Sequence, residues 1–296
     1  MRKSTMCNER TVKESEKFLS VKTDLSRRQL GKAAAGVGLA MVLPPVANAQ
    51  DITESYIDIT TPDGVADSFF VRPSTGQHPA VLIWTDILGL RPAFEMMARR
   101  LAQSGYSVLV PNPFYRSATA PVVEPGATFQ DPTVRETVLE MRSILTELTD
   151  ISDAEIFVEF LDAQDSVDSN RKMGTIGYCM GGPMVMRTVG TNSRMGAGGT
   201  FHGGGLATDE QNSPHLLIPQ MNASMLICVA ANDDEEAPEV KNILRDAFEA
   251  ADISAEIEVY EGTLHGWCPP DSAVYHEAQA ERAWSRLLNL FEKSLV

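Results

Sequence analysis

Two near-continuous apolar runs, Ala80–Trp84 and Tyr106–Val110, flank a stretch, Ala93–Ser104, whose apolar residues recur at helical spacing. Runs of this kind suit strands covered on both faces, so the spacing predicts a βαβ unit. Ahead of it, Tyr56–Thr60 alternates polar and apolar positions, and Asp67–Arg72 follows the turn Thr61-Pro62-Asp63-Gly64. That pattern predicts an opening hairpin. Pro111–Pro132 is rich in Pro, Ala and Thr without periodicity and is expected as a long surface loop, a length often used for lids. Helices are then expected at Thr133–Leu148, Asp153–Gln164, Met184–Val189, Pro238–Ala250 and His276–Glu292. Short apolar strands are expected at Gly174–Tyr178, Gly199–Phe201, Met225–Ala230 and Ala255–Tyr260. The alternation predicts an α/β fold with a doubly wound, mostly parallel sheet flanked by helices, with no internal repeat and no linker to a second domain.

The first 49 residues read differently. Ser26-Arg27-Arg28-Gln29-Leu30-Gly31-Lys32 precedes a weakly apolar run, Ala33–Leu43, and then Ala47-Asn48-Ala49 ahead of Gln50. This is the pattern of a twin-arginine export signal with an A-x-A cleavage site. The run is too short for the roughly 20 apolar residues that span a bilayer, so no stable membrane anchor is expected. Residues 50–296 then form a single domain, periplasmic or secreted, with the twin-arginine translocase as a partner during export. The 296-residue chain carries a formal charge of −15, and the leader holds nine basic and four acidic residues, which leaves −20 on the exported part. Such a surface argues against nucleic acid or anionic membrane as a partner. Of four cysteines, Cys7 leaves with the leader, and the odd remainder of Cys179, Cys228 and Cys268 leaves at least one thiol free or paired between chains. Cys228 lies inside the apolar run Met225–Ala230 and is expected to be an inert strand residue.

The candidate chemistry centres on Gly177-Tyr178-Cys179-Met180-Gly181-Gly182. An apolar run leads into Cys179 and a helix-compatible run leads away, as in a nucleophile elbow, where the reactive side chain sits on a strained turn between strand and helix. After it in the chain, the strand Met225–Ala230 ends in Ala231-Asn232-Asp233-Asp234, and the strand Ala255–Tyr260 ends in Glu261-Gly262-Thr263-Leu264-His265-Gly266. Nucleophile, acid, histidine, each just past a strand, is the order of an α/β-hydrolase, and in a parallel sheet those strand ends share one edge. The order alone leaves Asp233 and Asp234 as alternatives. His202-Gly203-Gly204-Gly205 looks like a lipase oxyanion motif but follows Cys179 by 23 positions, so it reads as a glycine-rich loop bordering the pocket. No metal-ligand cluster and no dinucleotide glycine fingerprint is apparent, so neither cofactor nor metal is expected.

These residues resemble the dienelactone hydrolase family of the α/β-hydrolase superfamily, over nearly all of the exported part. The resemblance implies hydrolysis of a small-molecule substrate, an activated ester, a lactone such as a carboxymethylenebutenolide-like enol lactone, or a thioester. The implied route is a Cys-His-Asp triad and an acyl-thioester intermediate. Asp234-Glu235-Glu236-Ala237-Pro238 is similar to the family's acid loop, in which the aspartate precedes a proline by four positions, and this implies Asp234 as the acid and His265 as the base. Asp86 stands where the family carries a glutamate that helps activate the thiol. The backbone N–H groups of Ile87 and Met180 are the implied oxyanion donors. The family's arginine a few positions beyond the histidine is missing from His265-Gly266-Trp267-Cys268-Pro269-Pro270. Arg135 or Arg142 is the candidate replacement, and Tyr178 and Trp267 are candidate substrate contacts. A rival reading is an exported binding or thiol-redox protein that keeps the fold without hydrolysis. Cys268, three residues past His265, also raises the hypothesis of a disulfide to Cys179, against the plainer reading of a loop thiol.

Overall fold

The computed structural model describes residues 13–17 and 43–296. The twin-arginine motif and most of the apolar run that follows it lie outside the described residues. Strands β1 (Ile52–Thr61) and β2 (Gly64–Pro73) form the opening hairpin, longer at both ends than the alternation alone predicts. There follow β3 (Ala80–Trp84), α1 (Pro92–Gln103), β4 (Ser107–Pro111), α2 (Pro132–Ser143), α3 (Glu147–Asp162), β5 (Met173–Tyr178), α4 (Gly181–Thr191) and β6 (Met195–Phe201). A 3-10 helix, Pro214–Gln220, leads to β7 (Ser224–Ala230), α5 (Ala231–Glu236), α6 (Val240–Ala250), β8 (Ala255–Tyr260) and α7 (Glu277–Ser294).

The eight strands form one sheet in the order β1-β2-β4-β3-β5-β6-β7-β8, antiparallel at β1/β2 and β2/β4 and parallel elsewhere. Every residue of β3, β4, β5 and β6 is buried, because helices cover both faces. On one face, Phe94, Ala98 and Leu101 of α1 pack with Ala283, Leu287 and Phe291 of α7. On the other, Phe157 and Leu161 of α3, Val185 and Val189 of α4, and Leu244 and Phe248 of α6 form the second core. This is the doubly wound α/β sheet expected from the alternation.

Two departures have local causes. The helix expected over Thr133–Leu148 ends at Ser143, and α3 begins four residues later, because Thr146 caps it reciprocally with Thr149. The acidic stretch after β7, read as a strand end, turns directly into the short helix α5. Among the described residues, no helix is long and apolar enough to cross a membrane.

Candidate active site

Cys179 sits in the turn between β5 and α4 with φ of +51°, a left-handed conformation that costs a residue with a Cβ on the order of 1–3 kcal/mol. Its flanks explain how the turn stays so tight. A Cβ on Gly177 would lie 2.3 Å from the Gly181 carbonyl oxygen, and one on Gly181 would lie 2.5 Å from that of Trp84. Strand, helix and the end of β3 therefore meet backbone to backbone. The Cys179 N–H donates to the Phe201 carbonyl at 3.1 Å, which pins the turn to the end of β6. Ile87 lies on the loop that leaves β3, and Met180 is the N-cap of α4. Among the described residues, no hydrogen bond takes up the backbone N–H of either.

His265 comes from the loop after β8 and is buried. Its backbone N–H donates to Asn232 Oδ1 at 2.8 Å, and its Nδ1 lies 2.8 Å from Asp233 Oδ2. Burial by itself pulls the imidazole towards neutrality. The charges of Asp233 and then Cys179, with their hydrogen bonds, outweigh it and hold the pKa well above the ordinary histidine value. The imidazole is thus bonded to the carboxylate and feels the charge of both carboxylate and thiol.

The carboxylate on His265 belongs to Asp233, not to Asp234. Both oxygens of Asp234 are held by Lys241 of α6 instead. The physical reason is α5: in a helix, consecutive residues point about 100° apart, so only one of the two aspartates faces the histidine loop. The spacing to Pro238 carries no information about that rotation.

Cys179, His265 and His202 open into a cleft also walled by Asp86, Ile87 and Phe129. Phe129 belongs to the long loop Pro111–Pro132, which therefore borders the cleft. Ser15 also lines it, and neighbouring Glu14 accepts from the Asn232 amide at 2.9 Å. His202, left aside in the sequence as part of a glycine-rich loop, faces the cleft edge-on to His265 with ring centroids 5.0 Å apart. Burial, and then the charge of His265, push its pKa well below the ordinary value, so it stays neutral.

Several expectations fail on geometry. Asp86 lines the cleft, but both its oxygens are engaged by Arg91, at 2.7 and 2.9 Å, and Oδ1 also accepts from the Leu88 N–H. It is committed to a guanidinium rather than to the thiol. Tyr178 stacks on Phe201 with centroids 4.8 Å apart, in the core on the α1/α7 face, away from the cleft. It points there because neighbouring strand residues face opposite ways. Trp267 is fully buried and stacked on Tyr260, so it braces the histidine loop from behind. Arg135 on α2 does not line the cleft. Arg142 does not line it either; its charge is felt at Cys179, but its guanidinium donates to the Leu145 carbonyl. Cys268 packs in the α1/α7 core while Cys179 belongs to the opposite core, so the fold does not pair them. The sequence pointed to Arg135 or Arg142 as the cation; among the described residues it is Arg91 that lines the cleft, reaching it from the start of α1, one residue before Pro92, where no motif marks it.

A family model described as the dienelactone hydrolase family matches residues 66–295. The chain belongs to the dienelactone hydrolase family. It is accordingly a hydrolase of the ester and lactone class, and the rival reading as a non-catalytic protein is not favoured. Similarity extends to a carboxymethylenebutenolidase of Rhodococcus opacus, 25% identical over 226 residues, covering 75% of this chain and 84% of that one. Among solved structures, a dienelactone hydrolase-like promiscuous phosphotriesterase from metagenomic libraries aligns with a TM-score of 0.69 at 22% identity, covering 83% of this chain and 99% of that one. A dienelactone hydrolase of Anabaena variabilis aligns with a TM-score of 0.57 at 16% identity, covering 83% and 99%. These two likenesses speak to the α/β-hydrolase fold.

Proposed function

We propose that this dienelactone hydrolase family member cleaves activated esters, enol lactones or thioesters through a covalent thioester on Cys179. The observation that carries the reading is His265, buried at the cleft with Asp233 on its Nδ1 and its pKa raised by both Asp233 and Cys179. In that arrangement the imidazole takes the thiol proton, and the thiolate attacks the substrate carbonyl. The oxyanion that develops is met by the N–H groups of Ile87 and Met180, and the fixed dipole of α4 adds to them. His265 then returns the proton to the departing oxygen or sulfur, and the acyl group remains on Cys179. Water activated by the same imidazole clears the thioester. Asp233 holds the tautomer and stabilises the imidazolium, the part first assigned to Asp234. Thiolate leaves more readily than an amide nitrogen, so unactivated amides tend to revert to substrate, whereas esters and enol lactones go forward.

The test is turnover of a panel of simple esters, lactones and dienelactones by the purified protein, with Cys179→Ala as control. Hydrolysis lost in Cys179→Ala with an unchanged melting temperature supports the reading. Turnover that survives the substitution removes Cys179 from the chemistry.

Export is part of the same proposal, supported by the Ser26–Lys32 motif and the Ala47-Asn48-Ala49 site. Cleavage after Ala49 also removes Ser15 from the cleft wall and Glu14 from Asn232. Mass measurement of the protein recovered outside the cytoplasm is expected to give Gln50 as its first residue. Replacement of Arg27 and Arg28 by Lys is expected to hold the precursor inside.

A further inference from the structure

Arg91 donates through every N–H it has. Its Nη1 reaches Asp86 Oδ1 at 2.7 Å and the Gly89 carbonyl at 3.2 Å, and its Nη2 reaches Asp86 Oδ2 at 2.9 Å and Asp271 Oδ1 at 3.0 Å. Its Nε completes the set on Asp271 Oδ2 at 2.6 Å. A guanidinium has five N–H groups, and here all five are used by two bidentate carboxylates and one carbonyl. The side chains of Arg91 and Asp86 are 8% and 12% exposed, and that of Asp271 28%, so the cluster is poorly screened by solvent. Burial works against the Arg91 charge, yet the two carboxylates hold its pKa well above the ordinary value, so it remains a cation.

The cluster as a whole therefore carries one negative charge. Besides Cys179 and His265, its three members are the charged side chains that line the cleft among the described residues. Ile87, Leu88, Phe129 and Val274 supply apolar wall around them. A substrate carboxylate entering here finds no unoccupied donor on Arg91 and meets the one negative charge that the guanidinium leaves uncompensated.

We propose that the Asp86–Arg91–Asp271 clamp is a specificity determinant that excludes acyl groups bearing a carboxylate and admits uncharged or cationic ones. This rests on the hydrolase reading above and narrows its substrate class. Asp271 is the deciding residue. It supplies the second carboxylate, and without it the guanidinium and Asp86 balance, with N–H groups released towards the cleft.

The experiment compares aryl esters of butanoic acid, butanedioic acid and 4-(trimethylammonio)butanoic acid, which share one leaving group and differ in terminal charge. In the wild-type protein, kcat/KM for the butanedioate ester is expected to fall at least about tenfold below the butanoate ester, with the ammonium ester equal to or above it. In Asp271→Asn, a gain on the butanedioate ester is expected to bring the two within about threefold. Equal turnover of the anionic and neutral esters by the wild type would overturn the proposal. So would an unchanged ratio in a folded Asp271→Asn protein, checked by its melting temperature. The wild-type series stands by itself if the variant does not fold. Equilibrium binding of the three corresponding primary amides separates the two readings. If no ester is turned over, the hydrolase reading fails, while weaker binding of the anionic amide still supports the clamp and equal binding overturns it.

Discussion

At the scale of single residues, Asp233 and Asp234 are adjacent and equally charged, and the resemblance in the sequence pointed to Asp234, yet only Asp233 lies on His265. Asp233→Asn is expected to lower kcat by about 10²–10⁴-fold, because the amide cannot stabilise the imidazolium. Asp234→Asn, which loses a partly exposed pair with Lys241, is expected to stay within a few fold of wild type. The same pair has a pH signature. With Asp233 and Cys179 raising the His265 pKa, the stability that these charges contribute is complete below the unfolded value of about 6.5 and is lost as pH rises through the folded value. The difference in melting temperature between wild type and Asp233→Asn should therefore be widest on the acid side and shrink at alkaline pH. An imidazole titration followed by NMR should move down in Asp233→Asn; a midpoint that stays put would detach Asp233 from His265.

At the scale of elements, the elbow depends on missing side chains. Gly181→Ala puts a Cβ 2.5 Å from one backbone oxygen and 2.9 Å from another, neither of which can rotate away. It is expected to cost about 3 kcal/mol or more, or to displace the turn, and urea unfolding measures which. Thr146→Ala removes the cap that starts α3 and should cost about 1 kcal/mol in the same assay, with little change in turnover. The elbow was legible because its glycines have a steric reason that shows in local sequence. The break between α2 and α3 was expected after Leu148 rather than after Ser143, because the helical periodicity runs across it and a single threonine decides the boundary.

For the whole molecule, two cores on either side of one sheet make the strand ends rigid enough to hold Cys179, Asp233 and His265 together. Phe291 of α7 is fully buried, and its ring fills the space where Gly174 of β5 lacks a side chain. Phe291→Ala is expected to cost about 3–5 kcal/mol, read in thermal unfolding as a fall on the order of 10 °C. Hydrophobic periodicity was enough to specify the order of strands and helices, since apolar burial on each element is a local property of spacing. It also marked Cys179 and His265, whose loops follow strands that must end on one sheet edge. It left undecided which aspartate meets the histidine, which face Tyr178 takes and what occupies Arg91. Those depend on the rotation of a short helix, the direction of one strand position and a contact across 180 residues between Arg91 and Asp271. Only packing in three dimensions sets such relations, because no term in the local sequence changes when they do.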